Sequence, residues 1–135
     1  MTTATARLDA IGLVVSDMRK TLNFYRLLGL TLPEDPGTED HVEATLEGGL
    51  RVMFDTEVLI KSLMPTWTPA QGGHRLGLAF HCETPAGVDA MFERVVAAGF
   101  VGAKAPWDAF WGQRYAQLQD PDGNVVDLFA PLAAT

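Results

Sequence analysis

The side chains able to do chemistry in this chain gather toward its second half. His74, His81 and the single cysteine, Cys82, precede a stretch carrying Tyr115, Gln117, Gln119 and Asp127, while His41 stands apart in the first half. A histidine offers a metal ligand or a proton carrier near neutral pH, and a carboxylate such as Asp127 offers a ligand or a base. Aromatic rings accompany them: Trp67 between Pro65 and Pro69, and Trp107, Phe110 and Trp111 within APWDAFWG (105–112). Such rings stack on flat guests, each good contact adding about 0.5–1.5 kcal/mol beyond area burial. A nucleophile paired with a base and an orienting partner, the usual sign of covalent catalysis, is not evident. Cys82 falls on the helix-facing side of its predicted strand, with no neighbour to stabilise a thiolate, and reads as a small hydrophobe.

The elements that must position these residues repeat. Ala10 to Val15 (AIGLVV) is an apolar, β-branched run too short for a helix, hence a buried strand. Asp17 is a natural N-cap for a helix with Met18, Leu22, Tyr25 and Leu28 on one face, which Gly29 ends. The unit returns at Leu76 to Cys82 (LGLAFHC), with Thr84-Pro85 as cap and first helical residue, Val88, Met91, Phe92, Val95 and Val96 as the apolar face, and Gly99 as the stop. Strands are predicted at His41 to Glu47 and Leu50 to Thr56 around Gly48-Gly49, then at Phe100 to Lys104, Gln113 to Gln119 and Val125 to Phe129, the last two joined by the hairpin turn DPDGN (120–124). The pattern is β-α-β-β-β, twice. Glu57 to Gly73, with Pro65, Pro69 and Gly72-Gly73, reads as a linker, and Ala105 to Gly112 as an aromatic loop.

Composition narrows the partners. The 135 residues, 47% hydrophobic and 20% charged, suit one compact domain that buries about two-thirds of its unfolded surface. Modules at about 7–57 and 74–131 are expected to share it across a linker at 58–73. No apolar run approaches the roughly 20 residues of a membrane span. The net charge of −7 opposes nucleic acid and anionic membranes, and suits a cationic small molecule or plain solubility. A lone cysteine excludes an internal disulfide and a cysteine-based zinc cage. Met1 to Arg7 lacks the apolar core of a secretion signal and reads as a frayed end, so a cytoplasmic location is expected.

Two stretches then carry a likeness. IGLVVSDMRKTLNFYRLLGL resembles the opening βα unit of the vicinal oxygen chelate superfamily, the glyoxalase/bleomycin resistance protein/dioxygenase family, and WGQRYAQLQDPDGNVVDLFA resembles its closing hairpin. The resemblance implies an α+β fold of paired βαβββ modules, a mixed sheet cupped around a guest with helices on the outer face, and frequent homodimers. Strand parity then sends Ala10, Gly12 and Val14, and Arg75, Gly77, Ala79 and His81, toward the cup. Tyr115, Gln117 and Gln119 alternate with Arg114, Ala116 and Leu118, and the family register points the former set inward.

In metal-dependent members, three ligand positions correspond here to Ala10, to Gly77 or Arg75 according to register, and to Asp127. Only the last has a suitable donor, and His81 lies on the order of 13 Å along the strand from Gly77. A catalytic divalent ion needs about three protein ligands. The expectation is therefore no metal or cofactor, with a divalent ion on non-standard ligands as the alternative. The favoured reading is a metal-independent drug- or metabolite-binding protein whose guest touches Trp67, Arg75, His81, Trp107, Phe110, Trp111, Tyr115, Gln117 and Asp127. The alternative is a lyase, dioxygenase or epimerase, metal-dependent or using Asp127, His81 or Tyr115 as acid or base. The aromatic loops also suit a homodimer contact.

Overall fold

The structure is a computed structural model that describes residues 4–133; Met1 to Thr3 of the segment expected to fray lie outside that range. Its elements run β1 (Ala10–Val15), α1 (Met18–Leu27), β2 (His41–Thr45), β3 (Arg51–Thr56), α2 (Glu57–Leu63), β4 (Leu78–His81), α3 (Pro85–Ala97), β5 (Val101–Ala109), β6 (Gln113–Gln119) and β7 (Val125–Pro131). Two mixed sheets result, ordered β1-β3-β2 and β4-β7-β6-β5, with β1 parallel to β3, β4 parallel to β7 and the remaining pairs antiparallel. None of the helices is long and apolar enough to cross a membrane among the described residues.

The caps form as their sequences dictate. Asp17 accepts from the Lys20 N–H, Thr84 accepts from the Gly87 N–H with Pro85 behind it, and Gly29 and Gly99 take positive φ to end the two long helices. Gly87 has a second reason to be glycine: a Cβ there would lie 2.3 Å from the Cys82 carbonyl oxygen, a backbone atom unable to yield.

The two halves differ by a strand. β1, β3 and β2 correspond to β4, β7 and β6, but the counterpart of β5 is missing, because residues 30–40 carry Pro33 and Pro36, which bring no N–H to a ladder. That segment is tied instead to α1, through Arg26 to the Pro33 carbonyl (3.1 Å) and Arg19 to Asp35 (2.7 Å). Two local expectations also change. The stretch read as linker begins with α2, capped by the Thr56 hydroxyl and burying none of its residues. The aromatic loop is mostly strand: β5 runs on through Trp107 to Ala109, with register shifts on either side of Lys104 that let an edge strand accommodate Pro106.

One core serves both halves. Leu13, Val15, Leu22, Phe54, Val88, Val95, Leu118 and Leu128 belong to a single buried cluster under the helices. Helix α1 links the halves: Tyr25 packs at 5.3 Å from Phe54 and 6.4 Å from Phe80, and Phe24 meets Phe100 edge-on at 5.2 Å. The fully buried Tyr25 hydroxyl donates to Asp120 at 2.8 Å, in the DPDGN turn. Burial, then the neighbouring Asp120 carboxylate, pushes the Tyr25 phenol far above its usual range, so it remains a donor. Tyr25→Phe is expected to cost about 1.5–3 kcal/mol, as for other hydrogen bonds to charged groups, read as a lower urea midpoint at unchanged slope. Asp120 keeps its bonds from the Asp122 and Asn124 N–H groups and the Asn124 amide, so the turn itself survives the change.

Candidate functional site

Each sheet turns one face to the helices and leaves the other open, and period-two alternation sorts the functional side chains onto the open faces. On the second sheet, Asp127 of β7 pairs with Ala79 of β4 and Gln117 of β6; Phe129 pairs with His81 and Tyr115; Tyr115 pairs with Trp107. Asp127, Gln117, Tyr115, Trp107 and His81 therefore share one face. The Gln117 amide donates to Asp127 at 3.1 Å, and the His81 ring meets Phe129 edge-on at 5.0 Å. The Tyr115 phenol is pushed up to about 12, first by burial and then by the Asp127 carboxylate beside it, so it stays protonated at neutral pH.

The aromatic side chains form a chain of edge-to-face contacts. Trp111 meets Trp107 at 5.5 Å, Phe110 at 4.9 Å and Tyr115 at 5.2 Å, and its indole N–H donates to Gln113 at 2.8 Å. Lys104 places its ammonium over the Trp107 ring at 4.8 Å and so covers one face of that ring. Phe110 is 91% exposed at the tip of the turn between β5 and β6, and Trp111 is 47% exposed.

Not every expected residue joins this face. Arg75 sits in an exposed bend, because β4 starts only at Leu78; its expected place on the strand is corrected, and Gly77 likewise precedes the strand. Trp67 lines a separate cleft of about 310 Å³ with Gly12, Val14, Leu76 and Asp122, its ring 6.0 Å from the Lys61 ammonium. Sequence reasoning passed over Lys104 and Phe129, although Phe129 lies two residues on from Asp127 and so on the same face of the strand. Among the described residues, no three His, Cys, Asp or Glu side chains converge as a metal cage would require. Asp127 is flanked by Ala79 and Gln117 rather than by further anionic or imidazole donors, so the residues present do not fit the family's usual metal.

The open face of the first sheet is of different character. Arg51 bonds Asp9 at 2.7 Å and Glu43 at 2.8 Å, and His41 lies between Asp55, at 2.5 Å from Nδ1, and Glu43, at 2.9 Å from Nε2. Two carboxylates on the two ring nitrogens hold an imidazolium.

Comparison with known proteins now decides the family. The profile of the Glyoxalase/Bleomycin resistance protein/Dioxygenase superfamily matches residues 7–128. The chain belongs to this superfamily. An uncharacterized protein of Mycobacterium bovis is 31% identical over 128 residues, covering 89% of this chain and 80% of its own, and one from Mycobacterium tuberculosis is equally similar over 72% of its length. Among solved structures, a glyoxalase/bleomycin resistance protein/dioxygenase family enzyme from Burkholderia phytofirmans superposes with a TM-score of 0.79 at 22% identity, covering 94% of this chain and all of its own. A protein of unknown function from Agrobacterium tumefaciens, 26% identical, covers 96% and 98% with a TM-score of 0.68. These likenesses establish fold and family, and the α+β architecture expected from the sequence is the observed one.

The imidazolium yields a pH prediction. Hydrogen bonding to Asp55, then to Glu43, raises the His41 pKa above its ordinary 6.5, so folding favours the protonated form. The contribution is complete below about 6.5 and fades as pH rises through the raised folded value. The melting temperature of the native chain should fall more steeply than that of His41→Gln as pH is taken upward from about 6 to about 8; parallel curves would show that the bridge contributes nothing.

Proposed function

We propose that the protein binds a flat, cationic or hydrogen-bonding small molecule on the open face of its second sheet, in the manner of a bleomycin-resistance-type sequestering protein and without a metal. The observation that carries this reading is the coincidence, on one face, of the Trp111 and Tyr115 rings 5.2 Å apart with the hydrogen-bonded Asp127–Gln117 pair. Rings supply stacking area, Asp127 supplies a counter-charge, and the Gln117 amide and Tyr115 phenol fix orientation. The net charge of −7 favours approach of a cation. The Trp107 indole N–H is buried without an acceptor, a cost of about 1–3 kcal/mol that a partner carrying an acceptor would remove.

A homodimer in a reducing cytoplasm belongs to the same proposal. The exposed Phe110 side chain is the surface that a second copy would cover, and Cys82 is a free thiol. An enzymatic reading has one observation in its favour: the Tyr115 phenol, protonated at neutral pH beside Asp127, is placed as a general acid.

Titration with planar cationic antibiotics and metabolites should quench tryptophan fluorescence saturably. Asp127→Asn is expected to weaken a cationic guest tenfold or more, which corresponds to the about 1.5–3 kcal/mol of a hydrogen bond to a charged group, and Trp111→Ala should remove most of the quench. A panel that produces no saturable quench, or a guest indifferent to both substitutions, would overturn the assignment.

A further inference from the structure

Two further clefts meet at Phe80 and His81 of β4, the latter a residue of the open face described above. The larger, about 390 Å³, opens where the two sheets adjoin: β1 pairs only with β3 and β4 only with β7, leaving an edge of each free, and Ile11 together with all four residues of β4 lines the space. Leu30, Leu46, Leu50 and Leu78 complete a wall in which His81 is the only ionisable side chain. The smaller, about 350 Å³, shares Leu28, Phe80 and His81 with it and adds Met91, Glu83 and Arg94. Both volumes fall in the range of small-ligand sites.

The polar groups are few, and Arg94 lines the smaller cleft. Arg94 makes no ion pair among the described residues. The Nδ1 atom of His81 accepts from the Glu83 N–H at 3.0 Å, which leaves Nε2 to donate. An unpaired guanidinium and an imidazole N–H beside an aliphatic trough match an anionic head on an apolar tail. Glu83 opposes this, but its side chain is 88% exposed and in solvent, where screening weakens its effect. The net charge of −7 acts over longer distances, and physiological salt screens it beyond about 8 Å.

We infer that this junction binds a medium-chain aliphatic carboxylate, with its chain among Ile11, Leu30, Leu46 and Leu78 and its carboxylate toward His81 and Arg94. The inference uses neither Trp111, Tyr115 nor Asp127, and stands or falls apart from the function proposed above.

Calorimetric titration of the full chain with hexanoate, octanoate and decanoate tests it. A single saturable site is expected, tightening about fourfold per added methylene. Decanoate should bind more tightly than decanol, and Arg94→Ala should abolish that preference. Glu83→Gln should tighten decanoate binding, Leu30→Trp should block it by filling the cleft, and Asp127→Asn should leave it unchanged. Affinity independent of chain length, decanol equal to decanoate in the native chain, or several weak sites in place of one would overturn the inference. Should Leu30→Trp fail to fold, the chain-length series and the exposed Arg94→Ala variant decide the matter alone.

Discussion

A buried hydrogen bond holds the two halves of this molecule in register. Asp120 is almost fully buried in the second half, and one of its oxygens accepts from Tyr25 in the first. A carboxylate so placed must have its hydrogen bonds satisfied from within the protein. The turn supplies the rest: the N–H groups of Asp122 and Asn124 reach one oxygen, and the Asn124 amide reaches the other. Two residues on, the Asp122 carboxylate accepts from the Ser16 N–H at 3.2–3.3 Å, just beyond β1. The DPDGN segment thus closes a hairpin and fastens that hairpin to the first helix and the first strand. Asp127, on the outgoing arm of the hairpin, is thereby held on the same sheet face as Tyr115 and Gln117 on the incoming arm.

Much of this was legible from spacing. The Asp17 and Thr84-Pro85 caps, the Gly29 and Gly99 stops and the DPDGN turn are local devices whose chemistry does not depend on the rest of the chain. The family resemblance singled out Asp127 and pointed Tyr115 and Gln117 inward, strand parity did the same for His81, and the observed register puts all four on one face because alternation survives wherever strand register does. Failures came where one rule overrode another. The internal repeat predicts a strand after α1, but Pro33 and Pro36 forbid the ladder. Pro106 and the tryptophans suggested a loop, yet an edge strand with bulges tolerates proline. Arg75 lies outside the strand because β4 is four residues long and begins three positions later. The grouping of Trp67 with the other tryptophans required knowing where α2 sends the chain, and no periodicity reports that.

The faces that remain open differ in chemistry. The first sheet binds its own charges to one another, Arg51 to Asp9 and Glu43, His41 to Glu43 and Asp55, and offers a visitor few unsatisfied groups. The second leaves rings and a carboxylate half-buried, with Gln117 donating to Asp127. Superfamily membership alone fixes no reaction. The proposal of a guest held by stacking and hydrogen bonds rather than by coordination rests on the donor set, with Ala79 and Gln117 beside Asp127 and Gly77 outside the strand.

Elemental analysis of protein purified after growth with added zinc, nickel, manganese and iron, alongside Asp127→Ala, tests that claim most directly. The account predicts metal far below one equivalent per chain, the same in both proteins. Near-stoichiometric metal in the native chain that disappears in Asp127→Ala would contradict it, and would make Asp127 a ligand.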